Sequence, residues 1–263
     1  MRAYPAQAFV RFFDSHGLLA LKARPQWRTV DGGSREYVNR LTEGYRSQIL
    51  FGGVKSIQRT TNEVLVEDAS GNLKSFDHVV LATHANEALR ILSDSNQHEQ
   101  ALLGRWQYTV NRAVLHCDPA FMPKRRRVWS SWNFIGNRSK SDKQQLCVTY
   151  WLNRLQSIKS EVQLFLTLNP DREPLAGSII KEFNYSHPFF DNYALSTQSK
   201  LWSLQGHRNT WFCGSYFGAG FHEDALQSGL AVAEELGGEA RPWDLPNMND
   251  RLQLDALLPA ATA

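Results

Sequence analysis

Residues 210–236 read Thr210-Trp-Phe-Cys-Gly-Ser-Tyr-Phe-Gly-Ala-Gly-Phe-His-Glu-Asp-Ala-Leu-Gln-Ser-Gly-Leu-Ala-Val-Ala-Glu-Glu-Leu236. A short apolar strand at Trp211 and Phe212 runs into a loop carrying Gly214, Gly218 and Gly220. Glu223 and Asp224 then open an amphipathic helix, which Gly237 and Gly238 close. Glycines let backbone approach a ligand closely, and the first helical turn presents unpaired N–H groups at the positive end of its dipole. Such a terminus favours phosphate, carboxylate or another electron-rich group. The same pattern also describes a helix packed on a strand through a glycine-rich turn, so it fixes a strand–loop–helix unit before it fixes a ligand.

Working outward, Trp27-Arg-Thr-Val-Asp-Gly-Gly-Ser-Arg-Glu-Tyr-Val-Asn-Arg-Leu41 reads as a Gly32-Gly33 turn into a helix. Ser34 is the expected N-cap, with Tyr37, Val38 and Leu41 on one face. Ile49–Ile57, Glu63–Asp68, Leu73–Phe76 and Asp77-His-Val-Val-Leu-Ala-Thr83 have the branched content of strands, with a Ser70-Gly71-Asn72 turn between two of them. A helix over Ala85–Leu92 follows.

In this order and spacing the three segments resemble the FAD-dependent amine oxidase superfamily, and most closely its bacterial NAD/FAD-binding, amine-oxidase-like branch. The resemblance runs from about Arg2 to about Gly238. It implies FAD as cofactor and a flavin oxidoreductase acting on a small molecule. By match, Gly214 and Ser215 fall at the ribityl chain, Gly220 where backbone passes close to the flavin, and Phe221 and His222 at the helix start beneath the ring. Gly32 and Gly33 match the entry to the middle FAD segment. Val54 and Ile57 match the strand that passes the adenine, and Val79–Thr83, including Ala82, the strand returning to the dinucleotide sheet. Ser215 and Tyr216 stand where the superfamily has Asp or Glu.

A strand–GxGxxG–helix unit normally places the pyrophosphate of such a cofactor. No GxGxxG occurs in these 263 residues. The expectation is therefore an α/β chain with an incomplete FAD/NAD(P)-binding, amine-oxidase-like flavoprotein fold, a β-rich substrate domain, and no N-terminal Rossmann unit. Met1 is read as starting inside the family's first substrate-domain segment. The expected FAD-binding domain is discontinuous, over 26–98 and 200–240, with a substrate domain over 1–25 and 99–199 and a loose tail over 241–263.

At 42% hydrophobic and 21% charged, the composition is that of a soluble globular chain able to bury a sizeable core. The net charge of +3 is too mild to imply nucleic acid. The basic cluster Lys124-Arg-Arg-Arg127 reads either as an exposed loop at a strand start or as a site for an anionic ligand or membrane headgroup. Cys117, Cys147 and Cys213 lack CxxC spacing, which argues against zinc and a disulfide framework and fits a reducing cytoplasm. No apolar run approaches the ~20 residues of a spanning helix.

From about 105 to 170 the chain reads as strands: Ala113–Cys117, Val128–Phe134, Leu146–Leu152 and Val162–Leu168, with a polar loop at Asn137–Lys143. Pro174 is expected to start a helix near Leu175–Phe183. Trp132 and Tyr150 are pocket candidates, although alternating strand residues also serve the core. His222 is the acid–base candidate, while His84 and His187 read as loop and turn residues. HExxH, GxSxG and Walker patterns are absent from the sequence. Three functions remain: a flavin-dependent oxidoreductase, a non-catalytic remnant of one, or half of a split flavoprotein whose partner chain carries GxGxxG.

Overall fold

The computed structural model describes residues 5–22, 26, 28–135, 147–245 and 248–252. It divides the chain into two compact units, residues 1–107 with 188–263, and residues 108–187.

In the first unit, α1 (Ala6–Ser15) ends just before Gly17, which takes φ +62°. The next helix, α2 (Ser34–Thr42), is capped by Gly33 at φ +85°, so the cap lies one residue before the expected Ser34. A left-handed backbone at the cap suits glycine and leaves Ser34 as the first helical residue. Neither α2 nor the 3-10 turn at Glu43–Gln48 buries a side chain. Tyr37, Val38, Leu41, Leu50 and Phe51 are all exposed, Phe51 at 96%.

Strands β1 (Val54–Arg59), β2 (Val64–Asp68) and β3 (Leu73–Phe76) form an antiparallel meander. The β2–β3 turn closes on Asp68, whose carboxylate accepts from Ser70 N, Asn72 N and Asn72 Nδ2 while Gly71 takes φ +86°. These bonds hold the Asp68 carboxyl below its usual range, the Asn72 side chain contributing most. Next come β4 (Val79–Leu81), α3 (Ala85–Ile91) and α4 (Gln97–Leu103). A reciprocal capping box starts α4: Glu99 N donates to Asn96 Oδ1, and Asn96 N to Glu99 Oε2, each at 2.8 Å.

The second unit is built on the five-stranded sheet β6-β7-β8-β5-β9. Its strands are β5 (Gln107–His116), β6 (Trp132–Phe134), β7 (Val148–Trp151), β8 (Phe165–Leu168) and β9 (Ile179–Phe189), with one helical turn, α5 (Leu152–Leu155), after β7. Residues 175–183 do not form the expected helix. A 3-10 turn at Ala176–Ser178 leads directly into β9, where β-branched Ile179 and Ile180 favour an extended chain over a helix. His187, expected in a turn, lies within β9. The expected loop at 137–143 lies outside the described residues. A polar ladder crosses the buried face of this sheet. His116 Nδ1 accepts from Asp118 N at 3.1 Å, so the ring proton sits on Nε2, 2.7 Å from Thr167 Oγ1. Thr167 in turn meets Thr149 at 2.9 Å. Burial pushes the His116 pKa down, against the opposing field of Asp118.

The chain re-enters the first unit through α6 (Asn192–Gln198), β10 (Thr210–Phe212) and α7 (His222–Glu235). β10 pairs in parallel with β4, and among the described residues these two strands make up their sheet. A partly buried ion-pair network seats β10: Arg59 holds Glu99 and Asp94, while Arg208 reaches Asp94 and donates to Arg59 O at 2.8 Å. Arg208 and Asn209 adopt left-handed φ of 55° and 57° to make that turn.

Candidate active site at the start of α7

Parallel strands gather ligands beyond their carboxyl ends. Here β4 runs out into Ala82 and Thr83, and β10 into Cys213, Gly214 and Ser215. The two ends meet: Cys213 N donates to Leu81 O at 3.1 Å, and a Cβ built on Gly214 would lie 3.2 Å from Thr83 O. Ala82, Gly214 and Ser215 thus share one end of the sheet.

The loop that follows is held by the protein itself. Buried Gln198 donates to the carbonyls of Tyr216 and Gly218. Ser228 Oγ accepts from Gly214 N at 3.0 Å, pinning the loop to α7. None of its three glycines has room for a side chain, a Cβ at Gly214 coming 2.8 Å from the Tyr216 ring. A Cβ at Gly218 would strike the Asp224 carboxylate, and one at Gly220, where φ is +93°, would come 2.9 Å from the Phe190 ring. On its Cβ side Gly220 thus faces Phe190, while the residue also lines the cavity described next.

Asp224 is fully buried at the third position of α7. Its Oδ2 accepts from Phe221 N at 2.6 Å, satisfying one N–H of the helix start. Its Oδ1 accepts from Arg251 Nη1 at 3.0 Å. Ala225 N closes the first helical bond, to Phe221 O. Helix geometry leaves the N–H groups of His222, Glu223 and Asp224 without a partner inside α7. His222 and Glu223 at this helix start line a cavity of about 500 Å³ together with His16, Gly220, Phe221 and Arg251. His16 lies with its ring centroid 4.9 Å from that of Phe221.

Sequence reasoning missed His16 and Arg251, which have no local signal and reach the cavity only through tertiary packing. Arg251 belongs to a C-terminal turn expected within the loose tail. In the structure Leu252 is 1% exposed, and Arg241 binds Glu234 and Asn249. Gly32 and Gly33 before α2, and Val54 at the start of β1, are exposed and lie outside the cavity lining. Trp132 and Tyr150 face each other across β6 and β7 with ring centroids 6.1 Å apart. The Cys213 thiol is pushed up to about 11 by burial, so it is no thiolate nucleophile at neutral pH. Among the described residues, no cluster of His, Cys, Asp or Glu could hold a metal ion.

The residues present fit the ring end of a flavin. Positive helix-terminal N–H groups and the Arg251 guanidinium border an open cavity of the size small ligands occupy. They supply no glycine loop of the GxGxxG kind for a pyrophosphate.

A parallel strand pair feeding a glycine loop and a helix N-terminus places the chain in the α/β class. Residues 7–165 match the family model of flavin-containing amine oxidoreductases, and the chain belongs to that family. Its cofactor is FAD. No curated protein sequence matches the chain. Among solved structures it is similar to putrescine oxidase bound to putrescine, with 13% identity and a TM-score of 0.55 over 78% of this chain and 53% of that one. Reduced UDP-galactopyranose mutase gives 12% identity and a TM-score of 0.52 over 78% and 52%. The CLA-producing fatty acid isomerase from P. acnes gives 13% and 0.50 over 70% and 47%. At such identity the likeness is one of fold, and the chain spans about half the length of these proteins.

Proposed function

We propose that the chain is the C-terminal part of an FAD-dependent oxidoreductase of amine-oxidase or desaturase type, taking hydride from a substrate C–N or C–C bond. Bound FAD would supply a two-electron acceptor. The protein's part is to hold and orient it. Gly214 and Ser215 would meet the ribityl chain; Gly220, Phe221 and the N–H groups from His222 onward would meet the ring edge, where electron density rises on reduction. Gly32, Gly33, Val54 and Ala82 would serve the rest of the cofactor. His222, exposed at the cavity mouth, is the acid–base candidate. Residues 26–98 with 200–240 would form the FAD-binding domain, and 1–25 with 99–199 the substrate domain. Free Cys117, Cys147 and Cys213 support a cytoplasmic setting.

The observation that carries the reading is the cavity at the N-terminus of α7, the helix that follows the parallel strand pair. A second observation favours the split-protein version over a non-catalytic remnant. Among the described residues no strand pairs with the outer edge of β4, and Val80 there is 41% exposed. Parallel strands are normally buried and flanked, so this edge suits a strand of the unit that carries GxGxxG, from a partner chain or the same polypeptide.

Flavin content tests both points. The chain alone should hold sub-stoichiometric FAD, and co-expression with a strand–GxGxxG–helix unit should raise it to one per chain. A tight one-to-one complex of the 263-residue chain alone would end the need for a partner unit. No flavin even after complementation would end the oxidoreductase reading.

A further inference from the structure

The flavin reading leaves unused one corner of the second unit, residues 123–134, Pro-Lys-Arg-Arg-Arg-Val-Trp-Ser-Ser-Trp-Asn-Phe. Its backbone is fixed. Trp129 Nε1 donates to Pro123 O at 2.7 Å, and a 3-10 turn at Arg126–Val128 tightens the segment between them. Lys124, Arg125, Arg126 and Arg127 are all exposed, and among the described residues no carboxylate pairs with any of them. Exposed Arg154 joins them by donating to Trp129 O at 3.0 Å. These five cations exceed the +3 of the whole chain, so everything else is net negative.

Apolar side chains stand beside the charges. Val128 is 58% exposed, Trp132 43% and Phe134 55%. Trp132 and Phe134 occupy the same face of β6, because Asn133 between them is buried on the other. Among the described residues β6 is an edge strand, so this face borders the rim of its sheet.

We propose that this corner docks the protein on an anionic phospholipid surface. Clustered guanidinium and ammonium groups meet the headgroup charge, and Val128, Trp132 and Phe134 enter the interfacial layer. The apolar members favour a bilayer over nucleic acid: an isolated exposed valine has no phosphate or base to serve, whereas at a bilayer its burial is favourable. The attachment is peripheral, since no described helix is long and apolar enough to cross a membrane. It does not depend on the flavin reading.

The test is co-sedimentation of the full chain with vesicles of phosphatidylcholine alone or mixed with phosphatidylglycerol. The mixed vesicles should retain the protein at low salt and release most of it at high salt, while neutral vesicles retain little. Each charge reversal in Arg125→Glu, Arg126→Glu and Arg127→Glu should weaken binding by about fivefold or more. The matching Arg→Lys set should keep it, and Val128→Ser with Phe134→Ser should lower what survives at intermediate salt. Circular dichroism would verify that each variant folds, and the salt dependence of the unaltered chain decides even if one does not. Failure to bind anionic vesicles, equal binding to neutral ones, or undiminished binding by the reversal set would overturn the proposal. So would salt-sensitive binding to DNA with no vesicle binding.

Discussion

The side chain of Gln205 pairs with the backbone of Phe212 as a neighbouring strand would. Its Oε1 accepts from Phe212 N at 2.8 Å, and its Nε2 donates to Phe212 O at 2.7 Å. One amide thus closes the edge of β10 at its last residue, where Phe212 is fully buried. The opposite edge of the pair, on β4, has no such cover among the described residues. That asymmetry marks where an added strand belongs.

Gln205→Ala would leave a buried N–H and a buried carbonyl unpaired. The expected cost is about 1–3 kcal/mol, read as a lower urea midpoint with an unchanged slope. A midpoint like that of the unaltered protein would show that water replaces the amide.

The C-terminal turn is bound to the helix start through Asp224. Asp224→Ala removes the partner of Phe221 N and of Arg251 together, and should cost about 2–4 kcal/mol. Arg251→Ala should cost less, because Arg251 is partly exposed. A double-mutant cycle on urea midpoints should give a coupling of at least about 0.5 kcal/mol, since the residues touch. Strict additivity would mean the ion pair contributes nothing.

Gly220 and His222 separate folding from cofactor binding. Gly220→Val meets the Phe190 ring and forces a branched side chain into a left-handed backbone, so stability should fall by about 1–3 kcal/mol. His222→Ala, at an exposed position, should stay within about 0.5 kcal/mol of the unaltered protein. In the complemented protein it should keep its flavin if backbone N–H groups hold the ring. Loss of turnover with flavin retained would make the imidazole the chemical group.

His116 makes the second unit sensitive to acid. Its folded pKa lies below the usual value near 6.5 because burial disfavours the cation, whereas the unfolded chain titrates normally. The unfolded state therefore binds more protons once pH drops below about 6.5, and stability must fall with it. Above that pH the contribution is flat. Protonation would also place a hydrogen on Nδ1, facing the N–H of Asp118. Urea midpoints from pH 7.5 to 5 should decline, and His116→Gln should flatten the decline. An unchanged slope in that variant would move the effect to other groups.

The exposed face around α2 should drive self-association. Leu41, Leu50 and Phe51 are 69%, 72% and 96% exposed, and exposed apolar surface favours association. Replacing all three with serine should make the chain more monodisperse in light scattering, at little cost in unfolding midpoint. A matching fall in midpoint would show that these side chains are packed in solution.

Much of this architecture could be read from local sequence. β1, β2 and β4 appear where Val and Ile are concentrated, and the β2–β3 turn where Ser70-Gly71-Asn72 stands, because strand propensity and turn chemistry act over a few neighbours. The strand–loop–helix of 210–235 was legible for the same reason: apolar pair, spaced glycines and acidic helix start each act within one turn. Where local cues conflicted, tertiary pairing decided. Pro174 suggested a helix, but β9 extends because it adds an outer strand beside β5.

The sequence by itself determined the helices and strands between Ser34 and Ile91 and the identity of the glycine loop, since both depend on contacts between near neighbours. Only the tertiary structure decided what the loop touches. Phe190 against Gly220, Gln205 on Phe212, and Arg251 on Asp224 join residues whose types carry no mark of their partners. Such contacts form when burial brings distant segments together, where an unpaired polar group costs more than it does in water.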